Sequence, residues 1–588
     1  MTHRGPRAGS SAPAAGAPRS LRAFAVVYAS FALLGIGVYR GALSGPLVSD
    51  DYFLIAGNPY LALPAPELLR ASFAPRGDAR HFAGGNYAPV LHLAHALEAR
   101  LFRADTRPYH LVNVLVHALN AALLSGLLLR SGLSRGASLG ASLLFLLHPA
   151  NVEAVAWISQ LRTLLAMACA LGALLLLPRL PIFSAGVFAV GLLAKASASF
   201  VLPMAALQVW TRRRRGEPIR RSAAGLALWT IAFLAYAPIQ FSVFSSIARG
   251  FGDPYPDLAT HLRSVLAIGA RYLAMAAAGY GVSAFHEPSP VHSNLDLWFL
   301  TGTAAAACLG ARIALTLRDA RPEAAWWLSA AAGFAPVSQL FPFFFGMGDR
   351  YLYFILPGLL GGAFLAGSDL SDALARRSPG GAAARCAAWL SGAARVGVLG
   401  LAVAFAAHAS GRARLWQSED ALLSDAASQY PDGSVGHYVR AVIALQQGDR
   451  DRALRELEAS AARGGSLIRA FRGDPHLVAL NGDPRYGALL READRMEIEA
   501  LEKRGSDDPR DLYKIASAHR RLGELDRAVA ALERGLRIGG GGPMETDLLA
   551  LLMQVRRERE ARSQIAPGSA NDLHGPARIG TDPVQGPS

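Results

Sequence analysis

Cysteine is nearly missing from this chain: three residues, Cys169, Cys308 and Cys386, in 588. All three lie in or beside apolar runs, so neither a disulfide framework nor a thiolate metal site is indicated, and the redox compartment stays open. Charge is also sparse. Only 18% of residues are Asp, Glu, Lys or Arg, against about a quarter in an ordinary soluble chain, while 52% are hydrophobic. That balance excludes one large soluble globule and indicates a chain that is mostly membrane. The formal charge sums to +15, which raises nucleic acid as a partner. The arginines, however, stand beside apolar runs, as in "RRRR" at 212–215 followed by Arg220 and Arg221, and not on one soluble face. They read as topology signals, and no nucleic-acid partner is expected. No Cys/His metal spacing, Ser/His/Asp order or phosphate-cradling glycine loop stands out, so no metal site and no bound cofactor is expected.

Residues 1–20 are Ala, Gly, Pro and Ser with scattered Arg, the composition of a disordered tail. The apolar run from Leu21 to Tyr39 reads as an uncleaved anchor, a signal peptide cut after "ALS" at 42–44 being the alternative. Further runs lie near 109–129, 136–147, 162–178, 180–194, 196–210, 223–248, 262–282, 296–317, 324–345, 351–367 and 387–407. They approach the roughly 17–25 residues that a crossing needs, although several are short and contain Pro or Gly. Arginine marks the cytoplasmic side at the N-terminal tail, Arg130 with Arg135, the 212–221 cluster, Arg318 with Arg321, and "ARRSPGGAAARC". Between the 212 cluster and Arg318 the crossings must be even in number, yet three runs intervene. The run 262–282 carries Arg263 and Arg271, and is assigned to the interface, leaving about eleven spans.

That topology puts four segments on the external side: the loop 40–108, the turn "LLHPANVEAVAW", the stretch 249–295, and "GMGDRYLY". The first contains "SDDYFLIAGNP", whose adjacent acids Asp50 and Asp51 are read as closing the first membrane helix, and the amphipathic "NYAPVLHLAHALEARLF", read as lying along the membrane surface. After the last span, Ala441, Gly448, Ala453 and Leu457 stand at the offsets of a tetratricopeptide repeat, and Leu512, Ala516, Gly523, Ala528 and Leu532 repeat the pattern. "DPHLVALNGDPRYGALLREADR" between them reads as a degenerate unit, and a plain helical hairpin bundle is the alternative. The expected architecture is all-α: a disordered tail over 1–20, a polytopic membrane domain over 21–410, a small tetratricopeptide-repeat solenoid over 411–562, and a second disordered tail over 563–588.

The order "SDDYFLIAGNP", "NYAPV", "PYHLVNVLVHALNAALL", "LLHPANVEAVAWIS", "LLAKAS", "DRYLYFILP", "LW" and then repeats resembles the membrane O-mannosyltransferase-like proteins with C-terminal tetratricopeptide repeats, of the C-type glycosyltransferase superfamily. The resemblance covers roughly residues 21–540 and is most specific in "HPxxxEAVAW" and "DRYLY". It implies a polyprenyl-phosphate-linked sugar as donor, a protein or lipid acceptor reached on the external face (the periplasm in a bacterium), and inversion without a metal. The chain departs from the family at three places. Ala88 replaces an arginine before the proline, "QLRT" at 160–163 replaces Gly-Arg followed soon by Asp, and Ala196 replaces the acid of Lys-Glu. Arg162 stands one position late for the missing arginine, and nothing replaces the acid at Thr163.

Glycosyl transfer from a lipid phosphate needs a carboxylate to take the acceptor's proton and cations to hold the departing phosphate. Adjacent Asp50 and Asp51 cannot both aim at one atom. One is therefore the expected base, Asp50 by choice, and the other orients a partner or caps the following helix; a solvated helix end is the alternative for both. Lys195, Arg350 and Arg162 are the expected phosphate ligands, since a cation in an apolar run needs an anionic partner. Snorkelling is the alternative for Lys195, and a local pair with Asp349 the alternative for Arg350. His148 and Glu153, with His286 and Glu287 of "FHEP", form a candidate acceptor or second-acid group, a hydrogen-bonded helix-ending ring being the alternative for His148. A multi-pass glycosyltransferase and a non-catalytic membrane scaffold that recruits proteins through its repeats both fit this inventory.

Overall fold

The computed structural model describes residues 17–565 except 76, 84–85, 249–254, 342–345, 378–381, 464–466, 504, 506 and 539–542. Most of the two expected tails, 1–16 and 566–588, and part of "ARRSPGGAAARC" lie outside the described residues. The chain is all-helical, with no strand among the described residues. It divides into two compact units, residues 1–467 with 475–479, and residues 468–474 with 480–588.

The first unit opens with α1 (Ala17–Tyr39), then the short α2 (Ala65–Phe73) and α3 (Pro89–Phe102) of the first loop. α4 (Arg107–Arg130), α5 (Arg135–Leu147), α6 (Asn151–Ala156), α7 (Leu161–Leu176), α8 (Pro181–Ala194) and α9 (Val201–Arg214) follow. α10 (Arg220–Ala248), α11 (Leu258–Ala278), α12 (Leu297–Arg318), α13 (Glu323–Phe334), α14 (Asp349–Arg377) and α15 (Ala382–Leu415) complete the apolar part. α16 (Glu419–Gln429) and the hairpin α17 (Ser434–Gln446) and α18 (Arg450–Arg463) end the unit.

Among the described residues, seven helices are long and apolar enough to cross a membrane: α1, α4, α7, α10, α12, α14 and α15. The count of about eleven included four that are shorter: α5, α8, α9 and α13 have 13, 14, 14 and 12 residues. At about 1.5 Å per residue these reach only some 20 Å, short of a hydrocarbon core of about 30 Å. α11, assigned to the interface, is not among the seven. Burial sorts the long helices: α4, α7 and α14 are more than half buried and form the centre, while α1, α10, α12 and α15 lie at the margin. In the first loop, α2 and α3 leave Leu69, Phe73, Leu97 and Leu101 exposed, as helices lying in an interface do.

The acids Asp50 and Asp51 do not close α1. That helix stops at Tyr39, and a turn over 40–44 precedes them. Gly41, Gly45 and Pro46 break the apolar run there, and Gly45 packs so close to the Trp416 carbonyl that a Cβ would meet it at 2.8 Å. α13 and α14 also meet at close range. A Cβ on Gly358 would stand 2.5 Å from the Ala330 nitrogen, and one on Gly361 would enter the Trp326 ring, a small-residue contact typical of membrane helices.

Around 148–160 the chain changes from α5 to α6 to α7 through single-turn segments, and each break frees backbone carbonyls that no water can satisfy in the interior. α4 supplies the donors. Asn113, His117 and Asn120 share one face at helical spacing and are fully buried. Asn113 Nδ2 donates to the carbonyls of Val155 (3.2 Å) and Trp157 (3.0 Å). His117 Nε2 donates to Leu146 O (3.0 Å), so that its Nδ1 accepts the Tyr353 hydroxyl of α14 (2.7 Å). Asn120 Nδ2 donates to Leu164 O (3.0 Å) and to Tyr353 Oη (2.9 Å).

The second unit contains α19 (Pro484–Lys503), α20 (Pro509–Leu522), α21 (Leu525–Ile538) and α22 (Pro543–Ile565). Ala516, Ala528 and Leu532, at the expected offsets, are buried together with Leu548, Leu552 and Val555 of α22. In the first unit, Ala441, Ala453 and Leu457 are likewise buried between α17 and α18. Gly448 and Gly523 turn the two hairpins at φ of +80° and +81°, a conformation that favours glycine. The stretch read as a degenerate unit contributes one α-helix, α19, after short 3-10 turns.

Asn113→Ala removes the donor shared by three carbonyls in the central break, those of Val155, Trp157 and Ile158. It is expected to cost about 1–3 kcal/mol, seen as a lower unfolding midpoint in detergent. Leu69→Ala on an exposed face should leave that midpoint unchanged.

Candidate functional site

The paired acids separate in role at the backbone. Ser49 adopts a φ of +50°, unusual for a residue other than glycine, and turns the chain immediately before them. Asp51 is fully buried. Its Oδ1 accepts the Ser159 amide (2.8 Å) and the Ser159 hydroxyl, and its Oδ2 accepts the Val48 amide (3.2 Å). Burial pushes this carboxyl up to about 6, against the pull of the Ser159 hydroxyl and the two amides. Asp50 is half-exposed, lies close enough to Arg162 and Arg350 to interact electrostatically, and has no ion pair within 4 Å among the described residues.

Glu153 and Arg350 form the pair beside it. Glu153 Oε2 accepts the Arg350 backbone amide (2.7 Å) and Oε1 accepts its guanidinium, both side chains being buried. The short helix α6 carries Glu153, and the start of α14 carries Arg350, so the break that α4 stabilises also sets this contact. The guanidinium is sandwiched by rings, 5.4 Å from the Trp157 centroid and 4.8 Å from that of Tyr351. Arg350 thus pairs with Glu153 and not with its neighbour Asp349, whose Oδ1 is 2.7 Å from His286 Nε2.

Lys195 sits where α8 ends and a 3-10 turn begins. Its ammonium donates to Thr163 Oγ1 (2.8 Å), which in turn donates to Gln160 Oε1 (2.8 Å). It lies 5.6 Å from the Phe354 ring centroid and within electrostatic reach of Arg162, Arg350 and Glu153. Burial, reinforced by those two guanidiniums, holds Lys195 well below the usual lysine range. Arg162 is buried, donates from Nη1 to Ala83 O (3.1 Å), and has no partner for Nε among the described residues; Gln160 Nε2 is likewise unpartnered. Neither Lys195 nor Arg162 has a carboxylate at ion-pair distance among the described residues. Thr163, a hydroxyl, leaves two adjacent cations with neutral hydrogen-bond partners.

The other expected residues are engaged differently. His148 caps the end of α5 with both ring nitrogens in backbone bonds: Nδ1 accepts Ala150 N–H (3.2 Å) and Nε2 donates to Ala276 O (3.1 Å). Its ring meets Phe405 edge-on, and burial pulls it down to about 4, so it is neutral and structural. His286 bridges Asp349 and Tyr430 Oη (3.0 Å). Glu287 caps α17, accepting Ser434 N (3.1 Å), Ser434 Oγ (2.5 Å) and Val435 N (3.2 Å). Asp50, Asp51, Glu153, Arg162, Lys195 and Arg350 therefore form one electrostatic neighbourhood, and His286 touches it through Asp349. His148 and Glu287 are committed to backbone.

Ser159, Trp157 and Gln160 were missed as site residues. All three lie in or directly after the "HPANVEAVAWIS" segment, where a break in an apolar helix was the available signal. No family model matches the chain, and no curated protein matches it in sequence.

Removing one member of a buried ion pair typically costs about 3–5 kcal/mol. Glu153→Ala should therefore lower the unfolding midpoint sharply, and Glu153→Ala with Arg350→Met should recover part of the loss. Additive effects in that double-mutant cycle would show that the pair is not coupled.

Proposed function

We propose that this multi-pass membrane protein is a glycosyltransferase that moves a hexosyl group from a polyprenyl-phosphate carrier to a protein or lipid acceptor on the external face. Its helical hairpins serve as tetratricopeptide repeats that engage the acceptor or a partner. One observation carries the reading: Lys195 and Arg162 stand together in an apolar domain with neutral hydrogen-bond partners, the acids Asp50 and Glu153 being within electrostatic reach but not at ion-pair distance among the described residues. A cation in such surroundings costs about 2.5–3.5 kcal/mol at bilayer centre, and a lipid-borne phosphate would offset that cost and fill the orphaned donors of Arg162 and Gln160.

In the reaction, the acceptor hydroxyl attacks the anomeric carbon as the bond from that carbon to the phosphate oxygen breaks. The phosphate leaves with the electron pair on its polyprenyl carrier, held by Lys195 and Arg162, with Arg350 adjacent. Asp50 takes the hydroxyl proton, because it is the acid left half-exposed, while Asp51 is spent on Ser159 and fixes the loop. Arg350, locked by Glu153, supplies a fixed positive field. No metal enters this scheme. Eleven crossings, the number the arginine pattern requires once the short helices are counted, is odd. With the N-terminal arginines cytoplasmic, the residues after α15 then fall on the external side.

A non-catalytic scaffold on the same architecture is favoured by Thr163, a hydroxyl where the resembled family carries an acid. Transfer of radiolabelled lipid-linked sugar in membranes with and without the protein separates the two readings. Loss of a general base costs about 10²–10⁴ in rate. Asp50→Asn should fall in that range with donor affinity kept, and Lys195→Ala should weaken donor binding more than acceptor binding. Equal activity of Asp50→Asn, Asp51→Asn and the unaltered protein would end the proposed chemistry, and absence of transfer by all of them would leave the scaffold. A reporter fused after residue 562 should be active on the external side; activity only in the cytoplasm would reverse the topology.

A further inference from the structure

A cavity of about 710 Å³ lies away from the paired acids, walled by α11, the extended segment 286–291 and the turn 429–434 between α16 and α17. Its size falls in the roughly 300–1,000 Å³ range of ligand sites. Arg271 lines it, stacked 4.7 Å from the Trp298 ring centroid, with no carboxylate at ion-pair distance among the described residues. Of the acids in the wall, Glu287 is consumed by the start of α17, and Asp432 is exposed in the turn. Arg463 adds a second cation. The remaining wall mixes the polar side chains of Ser289, Gln339 and Gln429 with Tyr255, Tyr430 and the prolines 288, 290 and 431, an amphipathic surface that suits a peptide better than a purely apolar prenyl tail.

The wall is wired to the candidate site. The Tyr430 hydroxyl donates to His286 Nδ1, and His286 Nε2 donates to Asp349, which precedes Arg350. A ligand held against Tyr430 is therefore held beside the residue whose neighbour pairs with Glu153.

We propose that this cavity is the acceptor's entrance and takes an extended polypeptide segment bearing an acidic side chain, which Arg271 grips through its unspent donors. This deepens the transferase reading and rests on it for the word acceptor. The binding itself stands apart from transfer, and this makes the two separable.

The test uses the full-length protein in lipid nanodiscs and two fluorescein-labelled ten-residue peptides, a Ser/Thr-rich one with acidic residues and its counterpart with lysines in their place. Fluorescence anisotropy should show saturable binding of the acidic peptide alone, weakening as salt rises. Arg271→Gln should weaken it at least tenfold, Arg271→Lys less, and Leu69→Ala, on an exposed face away from the cavity, not at all, with unfolding midpoints confirming that each variant is folded. Equal binding of the two peptides, binding of neither, or unchanged affinity in folded Arg271→Gln overturns the proposal. Displacement of the peptide by a short-chain polyprenyl phosphate through Arg271 would assign the cavity to the lipid donor and overturn it as well. Peptide binding without sugar transfer would refute the transferase reading alone; transfer without peptide binding would refute this inference alone.

Discussion

Backbone carbonyls that cannot reach water set the central constraint. Between residues 148 and 160 the chain breaks regular helix in the middle of the apolar unit, the freed carbonyls of Leu146, Val155 and Trp157 are met by Asn113 and His117 of α4, and Asn120 adds a bond to Leu164 O in the first turn of α7. Without those donors, a break at this depth would cost several kcal/mol per orphaned group. With them, the break becomes rigid. Tyr353, bonded to both His117 and Asn120, ties the start of α14 to the same stripe.

Glu153, Arg162 and Arg350 depend on that rigidity. Glu153 is on the short helix within the break, Ser159 and Gln160 are at its end, and Arg162 and Thr163 open the helix that follows. Arg350 is three residues before Tyr353. Glu153 can meet Arg350 twice, at the amide and at the guanidinium, because both strands of the contact are anchored on α4. The loop after α1 then closes the cluster by placing the Asp51 carboxylate on the Ser159 amide and hydroxyl, leaving Asp50 as the half-exposed acid.

The charge balance of this cluster differs from that of a self-neutralising network. Glu153 answers Arg350, His286 answers Asp349, and Ser159 answers Asp51, whereas Lys195 and Arg162 are answered only by a hydroxyl and a carbonyl. Buried donors with no acid at ion-pair distance are costly on their own and are relieved by an external anion. Thr163 is the residue that makes the difference, since an acid at that position would neutralise Lys195.

The sequence by itself determined the helical class, the long apolar helices and the positions of most of the charged residues, because apolar run length and helical periodicity are local properties. It also determined where the small residues of the two helical hairpins recur, and Ala516, Ala528 and Leu532 are buried as that spacing requires. Only the tertiary structure decided which charges meet. Arg350 is adjacent to Asp349 in the chain yet pairs with Glu153; His148 looks catalytic in "HP" yet spends both nitrogens on backbone; Glu287 beside a histidine is a helix cap. It decided as well that α1 ends at Tyr39, well before the acids. Hydrogen bonds and ion pairs over sequence separations of 63 to 197 residues leave no periodic trace in a single sequence. The chemistry of the site was therefore legible as an inventory, and its assignment into paired and unpaired charges was set by the packing of α4, the broken segment and α14.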